Sequence, residues 1–108
     1  MNPENLQTDL SFTAEINLYY DLFVPDDAAE DAPLLIAVHG YGAHKRYMMS
    51  EAKRVAADNF VIASLQGPHQ HYRPTKDGSY RVGFGWLTDH KPDEYIALHH
   101  KFVLDVID

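Results

Sequence analysis

The sequence predicts an α/β fold on three observations: the continuous apolar run Leu34–Val38, the helical recurrence of Met48, Met49, Ala52, Val55 and Ala56, and a second apolar run, Phe60–Ala63. Apolar runs of this length suit strands covered on both faces, as in a parallel sheet. Strand, turn, helix and strand in that order make a βαβ unit, whose crossover is expected to be right-handed.

Upstream of this unit, Phe12, Ala14, Ile16, Leu18, Tyr20 and Leu22 alternate with Thr13, Glu15, Asn17, Tyr19 and Asp21. That is the period of a strand with one buried face, either one long strand or a bent pair. The stretch "VPDDAAEDAP" then gathers prolines and acids, and Asp26, Asp27, Glu30 and Asp31 read as a solvated loop. The amphipathic helix is expected over Lys45–Asp58, with Lys45, Glu51, Lys53, Arg54 and Asp58 facing outward and Met48 and Met49 filling gaps in the core.

From Ser64 to Asp89 no period is sustained, which predicts a long irregular connection. Its aromatics Tyr72, Tyr80, Phe84 and Trp86 argue against disorder, and loops of this length are usually functional. A second helix is expected from Pro92, a residue that suits a first helical turn, with Asp93 and Glu94 at the positive end of its dipole. Ile96, His99, Phe102, Val103, Val106 and Ile107 form its apolar stripe. No cap or polar turn stops that helix before Asp108. The expectation is therefore that residues 1–108 are the first part of a single longer domain.

Composition narrows the function classes. The apolar fraction of 45% is that of a globular chain. A net charge of −7, from 9 basic and 16 acidic residues, argues against a nucleic-acid or acidic-membrane partner. The chain has no cysteine, so disulfides and thiolate metal sites are excluded. "MNPENLQTDL" has no basic region followed by an apolar core, and no apolar run approaches the ~18 residues of a membrane span. A soluble, cytoplasmic protein is the expectation.

The chemistry-bearing stretch is "LLIAVHGYG", Leu34 to Gly42. In open α/β sheets ligands bind at the carboxyl ends of strands, where this turn falls. Gly40 and Gly42 can take positive φ or let the backbone approach a ligand, leaving the Tyr41 N–H free to point into a cleft. A free amide there can stabilise an oxyanion developing on an ester carbonyl. An ordinary glycine-rich turn between strand and helix is the alternative. "GYGAHKR" lacks the spacing of a phosphate loop and the glycine pattern of a dinucleotide fingerprint.

Apolar strand, His-Gly-x-Gly, amphipathic helix, second apolar strand, the aromatic loop "GFGWLTD" and an acidic helix start together resemble the N-terminal half of a serine α/β-hydrolase. The similarity is greatest to the phospholipase/carboxylesterase group of small esterases and thioesterases, and more distant to dienelactone-hydrolase-like enzymes. It covers roughly Asp9 to the end of the chain. The resemblance implies an α/β-hydrolase-like sheet, incomplete here, acting on a small carboxylic-ester or thioester substrate without a cofactor. It implies that the Tyr41 backbone N–H serves the oxyanion hole, with Gly40 and Gly42 shaping the turn. His39 would be structural rather than the catalytic histidine. Trp86, with Phe84 and Leu87, would line the acyl or leaving-group pocket; plain core packing is the other reading of Trp86.

One departure is decisive for activity. The nucleophile elbow G-x-S-x-G is absent, and none of the four serines, Ser11, Ser50, Ser64 and Ser79, has glycines two residues before and after it. Ser64 comes nearest in position, but Ile62 and Gln66 occupy the flanking sites. In family order the serine, acid and histidine of the triad would all fall beyond Asp108, so these 108 residues are expected to be inactive in triad catalysis. A second reading is a non-enzymatic binding module that kept half a hydrolase sheet. It would cover its open sheet edge by self-association, as a homo-oligomer, or with another chain, since unpaired edges recruit partners.

Seven histidines, including His69, His71, His99 and His100, raise a metal site, but no H-E-x-x-H spacing or cysteine partner supports one. No metal is expected. His99, on the helix stripe, reads as a satisfied, partly buried histidine.

Overall fold

The computed structural model describes residues 5–56 and 58–107. Seven elements follow one another: β1 (Tyr20–Phe23), β2 (Leu34–Val38), α1 (Lys45–Val55), β3 (Val61–Leu65), β4 (His69–Pro74), β5 (Tyr80–Gly85) and α2 (Pro92–Ile107). They form a mixed α/β fold with one three-stranded sheet, ordered β1-β3-β2, and one two-stranded sheet, β4-β5.

Strand β3 is central. It runs parallel to β2, with Leu34 beside Val61 and Val38 beside Leu65, and antiparallel to β1, with Tyr20 beside Leu65. A parallel neighbour needs a crossover, and α1 supplies it. The helix begins at an unusual cap: His44 Nδ1 accepts the Tyr47 N–H at 3.2 Å, a task more often taken by Ser, Thr, Asp or Asn. Lys53 and Arg54 in the last turn suit the negative end of the helix dipole.

The pleat of β2 and β3 divides the core in two. Ala37 and Ile62 pack with Met49 and Ala52 of α1, and Leu35, Phe23 and Phe60 close around them. From the alternate positions, Ala63 and Leu65 pack with Phe102 of α2, joined by Ile36, Leu18, Trp86, Val103 and Val106. The two helices therefore cover opposite faces of one sheet, which explains why β2 and β3 are apolar at successive positions.

Three expectations change. The strand read across Phe12–Leu22 forms only as Tyr20–Phe23, while Phe12 is 90% exposed. Its partner β3 ends at Leu65, and after the Gln66 N–H bonds Tyr19 O at 2.9 Å the chain turns away at Gly67 and Pro68. Residues upstream of Tyr19 have the strand pattern but no ladder to join.

The long irregular connection is instead largely a hairpin, β4 and β5, with His69 paired to Gly85 and Pro74 to Tyr80. Its five-residue loop closes on Asp77, whose Oδ1 accepts from the Ser79 N–H at 3.0 Å and the Ser79 hydroxyl at 2.7 Å, with the Thr75 hydroxyl also bonded to it. Gly78 takes the left-handed conformation at φ 86° that such a loop demands.

The first helix ends at Val55 rather than Asp58, and Ala57 lies outside the described residues. Val55, read as a core position, is 82% exposed at the helix end. Residues 1–4 and 108 also lie outside the described set. Among the described residues, no helix is long and apolar enough to cross a membrane. The Cα radius of gyration is 18.3 Å, with extents of 67 × 40 × 18 Å, against about 13 Å for a compact domain near this size.

Candidate functional site

The turn "HGYG" leaves the carboxyl end of β2 and enters α1, as its position in the βαβ unit requires. His39 is 3% exposed, and both its ring nitrogens are engaged. Its Nδ1 lies 2.8 Å from the Gly40 carbonyl oxygen, which can only accept, so Nδ1 carries the proton. Its Nε2 is then the acceptor that the Gly67 N–H meets at 2.9 Å. The imidazole bolts the turn after β2 to the turn after β3.

That bolt orients the next peptide. Gly40 O accepts from His39 Nδ1 and also from the Ala43 N–H at 3.1 Å. In a planar trans peptide the C=O and the following N–H point in opposite directions, so holding Gly40 O inward directs the Tyr41 N–H outward. Among the described residues the Tyr41 N–H has no hydrogen-bond partner. The Tyr41 ring, 80% exposed, stacks on His71 of β4 at 4.7 Å and 16°.

The hairpin buttresses the other side. Gly42 N–H donates to Phe84 O at 2.9 Å and Phe84 N–H donates to Ala43 O at 3.0 Å, one antiparallel bridge between the turn and β5. Of the two glycines, Gly42 has positive φ, 79°. Gly40 does not, and a Cβ there would meet nothing within 4 Å. The conformational need for glycine thus falls at Gly42.

Trp86 Nε1 donates to His39 O at 3.0 Å, and its ring lies 5.3 Å from His39 and 4.6 Å from His99. It sits beneath the turn and in the α2 core cluster. Phe84 lines a cavity of about 260 Å³ with Leu18, Tyr19, Gln66 and Gly67. Leu87 is 45% exposed and lines neither that cavity nor the one on the far side of the turn. The turn, Phe84 and Trp86 are thus brought together, and Leu87 stands apart.

Ser64, the serine nearest to a strand end, is fully buried and donates to Lys45 O at 2.8 Å, tying β3 to the start of α1. Its hydroxyl is occupied in structure. Among the described residues His69 Nε2, His71 Nε2 and His99 Nδ1 are buried without a partner, so His99 is partly buried as expected but not satisfied, and no three His, Asp or Glu side chains converge as a metal site.

The start of α1 is electropositive. Arg46 Nε donates to Asp21 Oδ2 at 2.8 Å and Lys45 Nζ lies 3.3 Å from Asp21 Oδ1, and the Arg46 bond foremost holds the Asp21 carboxyl below the usual carboxylate range. Burial pushes the His44 imidazole below the usual histidine range, and His39, Lys45, Arg81 and Arg46 push it the same way. Burial, and then His100, does so for His99.

Arg73 and Arg81 were not among the residues singled out from sequence. They stand four residues either side of Asp77; a two-residue Asp77-Gly78 loop would set Arg73 opposite Val82, so that turn signal gives a hairpin but not this register, which the five-residue loop decides.

A scan of family models, a search of curated proteins and a search of solved structures each returned no match for this chain.

Proposed function

We propose that the chain is the N-terminal portion of a serine carboxylic-ester hydrolase of the phospholipase/carboxylesterase type, supplying one donor of the oxyanion hole and part of the substrate pocket. The observation that carries the reading is the outward Tyr41 N–H, unpaired at the carboxyl end of a parallel strand and aimed by two bonds on Gly40 O. A donor held in place before reaction stabilises developing negative charge without reorganisation, and removing one such donor costs about 10²–10³ in kcat.

In the whole enzyme a serine attacks the ester carbonyl, a histidine takes its proton and returns it to the leaving group, and Tyr41 N–H bonds the tetrahedral oxyanion. Two contacts with the turn support Phe84 and Trp86 as pocket residues: Phe84 bridges Gly42 and Ala43, and Trp86 donates to His39 O. The coding sequence after Asp108 tests the proposal. A strand pattern and G-x-S-x-G within about 20 residues is expected; an open reading frame continuing without that elbow overturns it. The 108-residue chain alone is expected to take no covalent label from a fluorophosphonate.

The second reading, a self-associating module, is favoured by one observation. Among the described residues strand β2 is one edge of its sheet, beside a largely apolar groove of about 340 Å³ lined by Leu35, Val38, Met48, Ala52 and Val55, with Glu51 its charged residue. Light scattering after size exclusion separates the two: a defined dimer supports the module, and a folded monomer counts against it.

A further inference from the structure

Arg73 and Arg81 are direct cross-strand partners in the β4–β5 ladder. Like charges at opposed positions destabilise a hairpin, and among the described residues no carboxylate offsets them. Lys45, Arg46, Arg54 and Lys101 each pair with a carboxylate, while among the described residues neither Arg73 nor Arg81 forms a salt bridge. In a chain with 16 acidic residues and net charge −7, two adjacent guanidiniums without a carboxylate go against the overall balance.

Both arginines line one cavity of about 350 Å³, with Gly42, His44, Tyr47 and Val82. That volume falls within the ~300–1,000 Å³ range of small-ligand sites. Among the described residues no carboxylate lines it. Arg73 is held in place by backbone: its Nη1 donates to Gly42 O at 3.1 Å, and its stem lies across Gly42 and Gly83, with Cδ 2.8 and 3.0 Å from where their Cβ atoms would be. His44 uses Nδ1 to cap α1, so in its neutral form Nε2 carries the proton and is a donor. The cavity wall thus combines cationic and neutral donors with the apolar surface of Tyr47.

We propose that Arg73 and Arg81 together hold the phosphate or carboxylate head of a small ligand whose apolar body lies against Tyr47. An anion between the two guanidiniums turns their mutual repulsion into a shared attraction, and the planar fork of arginine suits both head groups. The chain's negative charge selects a small anion over a polyanion such as nucleic acid. The site adjoins the Tyr41 turn but does not depend on acyl transfer, because its test reads binding alone.

The test is isothermal titration of the chain with phenyl phosphate, with benzoate, and with benzyl alcohol as the neutral control. Saturable one-to-one binding of phenyl phosphate or benzoate is expected, without binding of benzyl alcohol. Arg81→Gln and Arg73→Lys should each weaken it about tenfold or more, since each loses a forked charge contact. With no ligand present, Arg81→Gln is expected to melt at or above the temperature of the unaltered chain, because it relieves the cross-strand repulsion. The proposal is overturned if neither anion saturates, if benzyl alcohol binds equally well, or if both variants bind as tightly as the unaltered chain. A lower melting temperature for Arg81→Gln would count against it too, by marking that arginine as a structural residue.

Discussion

His39 Nε2 accepts the Gly67 N–H at 2.9 Å, joining the end of β2 to the turn that follows β3, and it does so from a site only 3% exposed. Replacing this ring by a methyl leaves the Gly67 N–H without its acceptor and opens a void beside Trp86. His39→Ala is expected to destabilise the chain by about 2–4 kcal/mol. Urea unfolding followed by fluorescence reads this directly, since Trp86 is the sole tryptophan. A loss below about 0.5 kcal/mol, the range of ordinary surface substitutions, would show that the bolt is not structural.

The turn and the hairpin meet too closely for a side chain at Gly83. A Cβ there would stand 2.5 Å from Gly42 O and 3.0 Å from Arg73 Cδ. Gly83→Ala must push backbone apart, weakening the Gly42–Phe84 and Phe84–Ala43 bonds, at an expected cost of about 1–3 kcal/mol. Faster hydrogen exchange at the Gly42 and Phe84 amides is the local sign. Gly40→Ala, which meets nothing within 4 Å, should change stability by less than about 0.5 kcal/mol.

His44 and His99 titrate below the usual histidine value of 6.5, each chiefly through burial. The unfolded chain therefore binds protons that the folded chain resists. Stability is at its full value above pH 6.5, falls as the pH drops below it, and levels off below the lowered folded values. Urea midpoints at pH 7.5 and pH 5.5 should differ in that direction. His99→Leu should shrink the difference, and an unchanged slope in that variant would remove His99 from the account.

Asp77 is lowered to about 2 by the Thr75 and Ser79 hydroxyls and the Ser79 amide it accepts from. A depressed carboxyl contributes stability that is present above its unfolded value of 3.8 and is lost as the pH falls through about 2. The loop of the β4–β5 hairpin should loosen across that window, seen as changing Thr75 and Ser79 amide shifts. Asp77→Asn, which has no acid to titrate, should remove the local transition.

In the enzyme reading, replacing Tyr41 by proline deletes the N–H that the Gly40 peptide turns outward. Tyr41→Pro in the complete enzyme is expected to lower kcat by about 10²–10³. Tyr41→Phe, which keeps the amide, should retain activity.

Much of the fold was legible locally. Strand β2, helix α1, strand β3 and helix α2 were expected within a few residues of where they stand, because each carries its own burial pattern: continuous apolar runs for covered strands, a 3.6-residue stripe for the helices. The hairpin was less legible, since its strands hold His69, His71, Arg73 and Arg81 instead of an apolar alternation. Its one clear signal was Asp77-Gly78.

The chain order therefore carries the α/β class, the glycine turn after β2 and the absence of a serine elbow, all properties of neighbouring residues. What depended on distant partners was hidden. Phe12 to Leu18 have a strand's alternation, but β3 ends before it can pair with them. The Tyr41 N–H faces outward because His39, 28 residues from Gly67, fixes the peptide before it. Arg73 and Arg81 share a cavity because hairpin register sets them side by side. Helical burial is written within a few residues, whereas strand pairing and the direction of a single amide are set by groups far along the chain that meet only when it folds.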